Sequence, residues 1–564
     1  MVTRMSRPSR TEQDMIRAAD AGEVLDLSRR GNNVVRATVI RDLLRSGNVD
    51  PRGLLLVGAR VTGVLDLSFI STSTALQLDN CVFEEHVLMH DAELPALSFE
   101  GSTLPELRAE NLRTRYLNLD RARFSGMVDL ENARIDGSLL MSGASATRLF
   151  ASGLHVSRSM TATGLYARQI VLDSCDIGGE LNLRKAVVVS ESGVALIAYN
   201  GKVGADIELT DAFVKSSDML AVQLFDAKAS SLRMNGAVLR GTSALCLDGA
   251  TFAQDVLLGD GFDARSTVDT ITMIDTRIGA ALLISGSVRS HREQPVVLHR
   301  TKVGARVTIT YAQIDTNSDL AALDLTDSTV NGALLLHATT LINRGSGYKL
   351  DLTGAKVSNQ LCLGESDLIA NDDFTVRLDG LTYPNKPDDP DVWLRMLRDH
   401  TLFYEAQPYQ QLAAVHRAAG HEHDARKALI AQQNDLRQDG DPGNKLWHWF
   451  LGVTLGYGYQ PSRAVTGLLV TFLLAIGLVW TVGEFGGLTP AKDRPADSCS
   501  PVNRISLAAD LAIPLVKLGG TPRCELANGA AGQWATGAGW VVQILGWSFA
   551  TLSVAGFTGL VRKN

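Results

Sequence analysis

The chain has 564 residues, enough for several domains, and its 45% hydrophobic and 20% charged residues are those of an ordered protein. A net charge of −7 is too mild for holding phosphates, which needs clustered Lys and Arg, so no nucleic-acid partner is expected. Aromatic residues make up only 6%, which leaves Leu, Val, Ile and Ala to fill a narrow core.

The N-terminus has no apolar run, so no secretory signal peptide is expected. Two short amphipathic stretches follow: TEQDMIRAADAG, with Met15, Ile16 and Ala19 on one side and Gly22 as a stop, and VVRATVIRDLL (34–44), ended by Gly47. Residues 1–50 thus read as a helical cap on the open edge of the next domain.

Residues 51–383 repeat. CDIGGELNL, NGKVGADIEL, DAKASSLRM, GATFAQDVLL, DTRIGAALLI, RTKVGARVTI, DSTVNGALLL and GAKVSNQLCL register at Ile177, Val203, Ala229, Phe252, Ile278, Val303, Val330 and Val357. A period of about 26 residues is that of a solenoid, whose coils bury their apolar sides only against neighbours. Earlier coils are shorter: Val61, Phe83 and Leu104, then Ile135, Val156 and Ile177, recur at 21 or 22 residues. About 14 coils at about 4.8 Å each would make a rod of roughly 65–70 Å. The domain carries 29 Lys and Arg against 39 Asp and Glu, a dilute excess of −10, which predicts a long, mildly acidic face. Gly178-Gly179, Asn331-Gly332 and Gly345-Ser346-Gly347 read as corners. Asp66, Asp129, Asp173, Asp248, Asp275, Asp324, Asp351 and Asp379 each follow a core position. They read as turn formers, since the GGxGxDxU pattern of calcium-binding β-rolls is missing.

PNKPDDPD (384–391) ends the solenoid, because proline cannot continue a strand. Residues 384–450 then read as a helical connector, with a break at Pro408 and a helical hairpin capping the last coil. Residues 451–564 hold two uncharged runs, 464–482 and 538–561, each long enough to cross a bilayer. With no signal sequence before them, the solenoid and both termini are expected in the cytoplasm and the loop 483–537 outside. Trp447, Trp449, Tyr457 and Tyr459 suit an aromatic belt, and Arg463, Arg562 and Lys563 the positive inner side. Cys499 and Cys524 in the outer loop are expected to form a disulfide worth roughly 3–4 kcal/mol on the chain-entropy model. Cys81, Cys175, Cys246 and Cys362 read as small buried hydrophobes. Gly546, Ala550, Ala555 and Gly559 form a small-residue face for helix packing, within the chain or in a homo-oligomer.

Other motifs carry less. His416, His421 and His423 have ligand-like spacing, but Gly420 ends the helix between them, so a solvated corner is expected. VTLGYG (453–458) is similar to a potassium filter but precedes the first span. ISLAADLAIPLV (505–516) reads as a short helix lying in the interface or packed on the spans. GAAGQWATGAG (529–539) follows no expected strand and is not a dinucleotide fingerprint. No catalytic residue, cofactor site or metal site is expected.

A five-residue step with a small residue two before the apolar one (Ala59 before Val61, Cys81 before Phe83, Ala122 before Phe124) resembles the pentapeptide-repeat family. That resemblance implies a right-handed β-solenoid. The excursions SSDM and NSDL in the later coils argue against a strictly square section. The whole layout, through GYGYQPSRA to the two spans, is similar to a group of bacterial membrane proteins often labelled membrane-associated oxidoreductases. The fold expected is therefore mainly β, a right-handed β-solenoid with helical caps and two C-terminal transmembrane helices, in a bacterial cell membrane. The function expected is a non-enzymatic scaffold that binds a protein partner along the rod. The alternatives are the redox enzyme that the label implies and an oligomeric two-span sensor or pore.

Overall fold

The computed structural model describes residues 7–47, 49–363, 373–386, 389–439, 462–491, 499–513 and 524–557. The chain divides into two compact units, Met1–Leu402 and Phe403–Asn564.

The first unit is a parallel β-solenoid of about 13 turns, its strands gathered into a 39-stranded and a 12-stranded sheet. Most strands are two to four residues long and alternate an exposed with a buried position, as in Lys202–Val203. The repeat read from the sequence is the hydrogen-bond register itself. Val61 pairs with Phe83, Ile135 with Val156, Ile177 with Val203, Phe252 with Ile278, and Val303 with Val330, which pairs with Val357. Stacking an apolar residue on its counterpart in every coil makes one continuous core, so no single coil is stable alone. Cys81, Cys175 and Cys246 are buried in it, and burial pushes the Cys81 and Cys175 thiols up to about 12.

The corners read from the sequence, Gly178-Gly179, Asn331-Gly332 and Gly345-Ser346-Gly347, all stand at bends, and a second kind of corner alternates with them. The left-handed corner residues include Asn132, Asp226 and Asp275, each at φ 54°, a conformation their short polar side chains tolerate. Gly204 has no positive φ; a Cβ there would press into the Gly178 backbone, 2.9 Å from its carbonyl carbon. Such glycines let successive coils approach. The excursions SSDM and NSDL contain bends at 217–219 and 319–320, and beside the first of them Phe213–Ser216, Val238–Gly241 and Asp263–Ser266 stack as parallel strands. The extra residues per coil thus lengthen one side of the rod.

The N-terminal cap is woven into the sheet. Helix α1 (Arg10–Ala21) opens with a capping box between Ser9 and Glu12 and stops at Gly22 in the left-handed region. Val24–Asp26 then pairs with Leu55–Val57, and Val34–Arg36 with Arg60–Thr62. The stretch read as helix from Val34 therefore begins as a strand, with Val35 in the core, and becomes helix α2 only over Ala37–Ser46. β-Branched valines beside an open edge pair with it before they coil. At the other end helix α3 (Pro390–Asp399) closes the last coil. The Val376 amide donates to the His400 carbonyl at 2.8 Å, and Tyr383 packs on Trp393 with ring centroids 5.1 Å apart.

The second unit holds α4 (Ala406–Ala418), α5 (Glu422–Asp439), α6 (Ser462–Glu484), α7 (Pro501–Ala512) and α8 (Ala530–Phe557). Pro408 does not break a helix. It sits in the first turn of α4, where a missing amide costs no hydrogen bond. Ala475 and Val479 of α6, Ala508 and Ala512 of α7 and Val542 of α8 form one apolar cluster. The short helix ends at Ala512, because Ile513 precedes Pro514 and takes φ −115°, ψ 91°. Leu488–Pro490 and Cys524–Leu526 pair as a small two-stranded antiparallel sheet, with α7 between them in the chain. A strand does therefore precede the glycine-rich run, yet in an antiparallel pair without the βαβ context that dinucleotide binding needs.

Candidate interaction faces

Stacking converts sequence columns into physical rows. The outward position of the 12-stranded sheet carries, in successive coils, Glu93, Arg113, Arg134, His155, Asp176, Lys202, Lys228, Thr251, Arg277, Lys302, Thr329 and Lys356, held in unbroken parallel register. Seven cations against two carboxylates leave this row at +5 within a domain whose sum is −10. His155 and Asp176 pair with each other at 3.4 Å. Two residues further on the later coils carry mostly small side chains, Gly178, Gly204, Ser230, Gly279, Gly304 and Ser358 among them, whereas the early coils carry Arg115 and Asp136. The acidic face expected from the total charge is not uniform: the register collects cations in one row, and Asp226, Asp275 and Asp327 flank it at the preceding corners. The signal was present in the repeat heads, where NGKV, DAKA, DTRI, RTKV and GAKV each place a cation just before the register residue.

A second row runs along the lengthened side of the rod. Tyr166, Val187, Phe213 and Val238 are register partners, and Tyr166 and Phe213 are 51% and 36% exposed. Two residues on, Lys215, Arg240, Arg265 and Arg289 stack in register. Asp263 stands between and accepts from Arg265 Nε at 3.2 Å while pairing also with Arg240. Arg289 donates to Gln313 Oε1 at 3.1 Å. The row thus mixes exposed aromatic rings with braced guanidinium groups.

Near the C-terminal coils the carboxylates turn inward. Asp324 is buried and pairs with His299 at 2.7 Å, accepts from Gln294 Nε2 at 2.8 Å, and takes the Thr326 amide at 2.9 Å. Its hydrogen bond with the carboxylate raises the His299 pKa. Although burial opposes it, the bonds to His299 and Thr326 leave Asp324 below its ordinary value. Asp351, its register partner, is raised by burial. Asp66, Asp129 and Asp351 each accept the amide two residues ahead at 2.8–3.0 Å. These carboxylates therefore serve the turns, while Asp173 and Asp248 accept amides of the next coil instead.

In the second unit Cys499 and Cys524 form a disulfide, with Cα atoms 5.4 Å apart. Helices α6 and α8 are long and apolar enough to cross a membrane, and only 22% of each apolar window is buried. A core helix of a soluble protein would be mostly buried. Here Leu469, Leu473, Leu474, Trp540 and Ile544 stand exposed. Arg463 lies exposed at the start of α6. Trp447, Trp449, Tyr457, Tyr459, Gly559, Arg562 and Lys563 lie outside the described residues. Trp480 and Trp534 place aromatic rings at the loop-proximal ends of the two helices, and Arg504 sits 5.7 Å above the Trp480 ring. Gly546 belongs to packing within the chain, since a Cβ there would lie 3.0 Å from the Ala512 carbonyl carbon. Ala550 is buried and Ala555 partly so. His416 is buried, whereas His421 and His423 are exposed. Among the described residues no group of three or more His, Cys, Asp and Glu could hold a metal.

No family model matches the chain, and neither a curated protein nor a solved structure is similar to it.

Proposed function

We propose that the protein is a membrane-attached, non-enzymatic β-solenoid that binds a protein partner along its rod, and that it belongs with the pentapeptide-like solenoids of bacterial membranes. The observation that supports this reading is the row of Tyr166, Phe213, Arg240 and Arg265. Exposed aromatic rings beside arginines are the residue types that dominate binding energy at protein interfaces, and register holds them at fixed spacing with little entropy left to lose.

Attachment is through α6 and α8. The orientation we propose puts the solenoid in the cytoplasm and the loop between the helices outside. A disulfide at Cys499–Cys524 persists in an oxidising compartment, and Cys81, Cys175, Cys246 and Cys362 are unpaired.

The test is a photo-crosslinking side chain at Phe213 or Tyr166 of the full chain in its native membrane. One recurrent adduct, with Glu93 or Lys356 positions as controls, is the expected result. A failure to recover any recurrent protein would overturn the scaffold reading. A stoichiometric flavin or haem spectrum from the purified chain would replace it with the redox enzyme.

A further inference from the structure

We infer that α7 is a re-entrant helix that carries Asp510 to the middle of the bilayer, and that its polar side lines a water-filled path for a small cation, enclosed by further copies of the chain. The inference rests on the attachment through α6 and α8 proposed above and uses no residue of the solenoid. Contacts set the depth. A Cβ at Gly487 would lie 3.4 Å from Ala531, and one at Gly467 would lie 2.5 Å from Phe549 Cε1, so α6 and α8 run antiparallel. Near the first of these levels α7 begins, with Arg504 over the Trp480 ring and 3.6 Å from Glu484. It ends near the second, where Ala512 meets Gly546 and shares a cluster with Ala475 and Val542. Eight residues from Arg504 to Ala512 descend about 12 Å, close to half of a hydrocarbon layer of about 30 Å. Cys499 before α7 is bonded to Cys524, whose strand pairs with Leu488–Pro490 just past α6, so the segment enters and leaves on one side.

Ala508 and Ala512 pack toward the spans. Asn503, Ser506 and Asp510, at i, i+3 and i+7, share the opposite side, and each is partly exposed. At that depth an ionisable side chain faces protein or water, never acyl chains. A lone copy would turn this side to lipid, whereas copies gathered around it enclose it. A carboxylate beside the carbonyl end of a helix is doubly negative, which selects a cation. Among the described residues from 462 to 557 the other charges stand elsewhere: Arg463 at the far end of α6, Arg504 beside Glu484, and Glu525 in the loop-side strand. Lys517 lies outside the described residues.

The experiment takes the full chain from its native membrane in polymer-bounded lipid discs, which leave both faces open. Single introduced cysteines react with a trimethylammonium or a sulfonate methanethiosulfonate, and mass spectrometry reads each rate. Asp510→Cys should react within about ten-fold of Val502→Cys, at the exposed start of α7, because the reactive thiolate forms only in water. Leu473→Cys, exposed on α6 at the same depth, should be about a hundred-fold slower. Ser506→Cys should prefer the cationic reagent about ten-fold, relative to free cysteine, and adding Asp510→Asn should abolish the preference. Mass photometry should find more than one copy in each disc. A rate at position 510 as slow as at 473 would overturn the inference. So would equal rates for the two reagents at position 506, a preference that survives Asp510→Asn, or single copies. A chain that is not recovered with lipid would mean that the attachment reading itself has failed.

Discussion

Lys202 and Lys228, 26 residues apart in sequence, are Cα partners on adjacent rungs of the 12-stranded sheet. Like charges facing each other across a strand pair are destabilising by roughly 0.2–1 kcal/mol. At the same position two other coils carry Thr251 and Thr329. Lys228→Thr should therefore raise stability by about 0.5 kcal/mol at low ionic strength and by little in high salt. Urea unfolding in detergent at two salt concentrations checks this; destabilisation at both would count against a strained row.

The N-terminal cap depends on one carboxylate. Glu12 is 2% exposed at its side chain and accepts from Arg36 Nε at 2.8 Å, Arg36 Nη2 at 2.7 Å and the Ser9 amide at 2.7 Å. These bonds, led by the Arg36 side chain, hold its pKa down at about 2. Its stabilisation is complete above the unfolded value near 4.5 and is lost as pH falls toward 2. Glu12→Gln should cost roughly 2–3 kcal/mol at neutral pH. Hydrogen exchange over α1 should accelerate in the variant, and the difference from the parent should shrink on acidification.

The His299–Asp324 pair behaves differently with pH. The His299 pKa is raised, so its contribution is full below 6.5 and lost as pH rises through the folded value. The Asp324 pKa is lowered, so its contribution is lost only as pH falls through that lowered value. Their joint effect is greatest in mildly acidic solution. Asp324→Ala, which orphans His299 and Gln294, should cost about 2–4 kcal/mol. An NMR titration showing His299 at or below an ordinary histidine value would refute the assignment.

Cys499 and Cys524 are separated by 25 residues, and closing such a loop is worth about 3–4 kcal/mol on the chain-entropy estimate. Neither thiol should react with a membrane-impermeant maleimide in intact cells until a reductant is added. Reaction without reductant would exclude the bond.

Gly546 lies against the Ala512 backbone. Gly546→Leu should separate α7 from α8 and lower the melting temperature in detergent, whereas Gly537→Leu, where an added Cβ would meet nothing within 4 Å, should not. Equal effects would mean that the short helix does not pack where described.

Much of the first unit was legible because a solenoid writes its contacts into its period. Ile177, Val203 and Val357 recur at coil length because each must stack on its counterpart, and that apolar demand is local and repetitive. The two apolar runs were legible as well, since an uncharged run of that length marks a helix long and apolar enough to cross a membrane. The cation row was written in the same repeats but was hidden by the total, because summed charge ignores which residues the register brings side by side. Tertiary structure alone decided the rest. Val34 became a strand because an open edge lay beside it, Pro408 proved harmless because of its place in a first turn, and Gly204 and Gly546 were required by backbones arriving from elsewhere in the chain. Periodic burial is a property of the sequence; close approach between distant segments exists only once they have met.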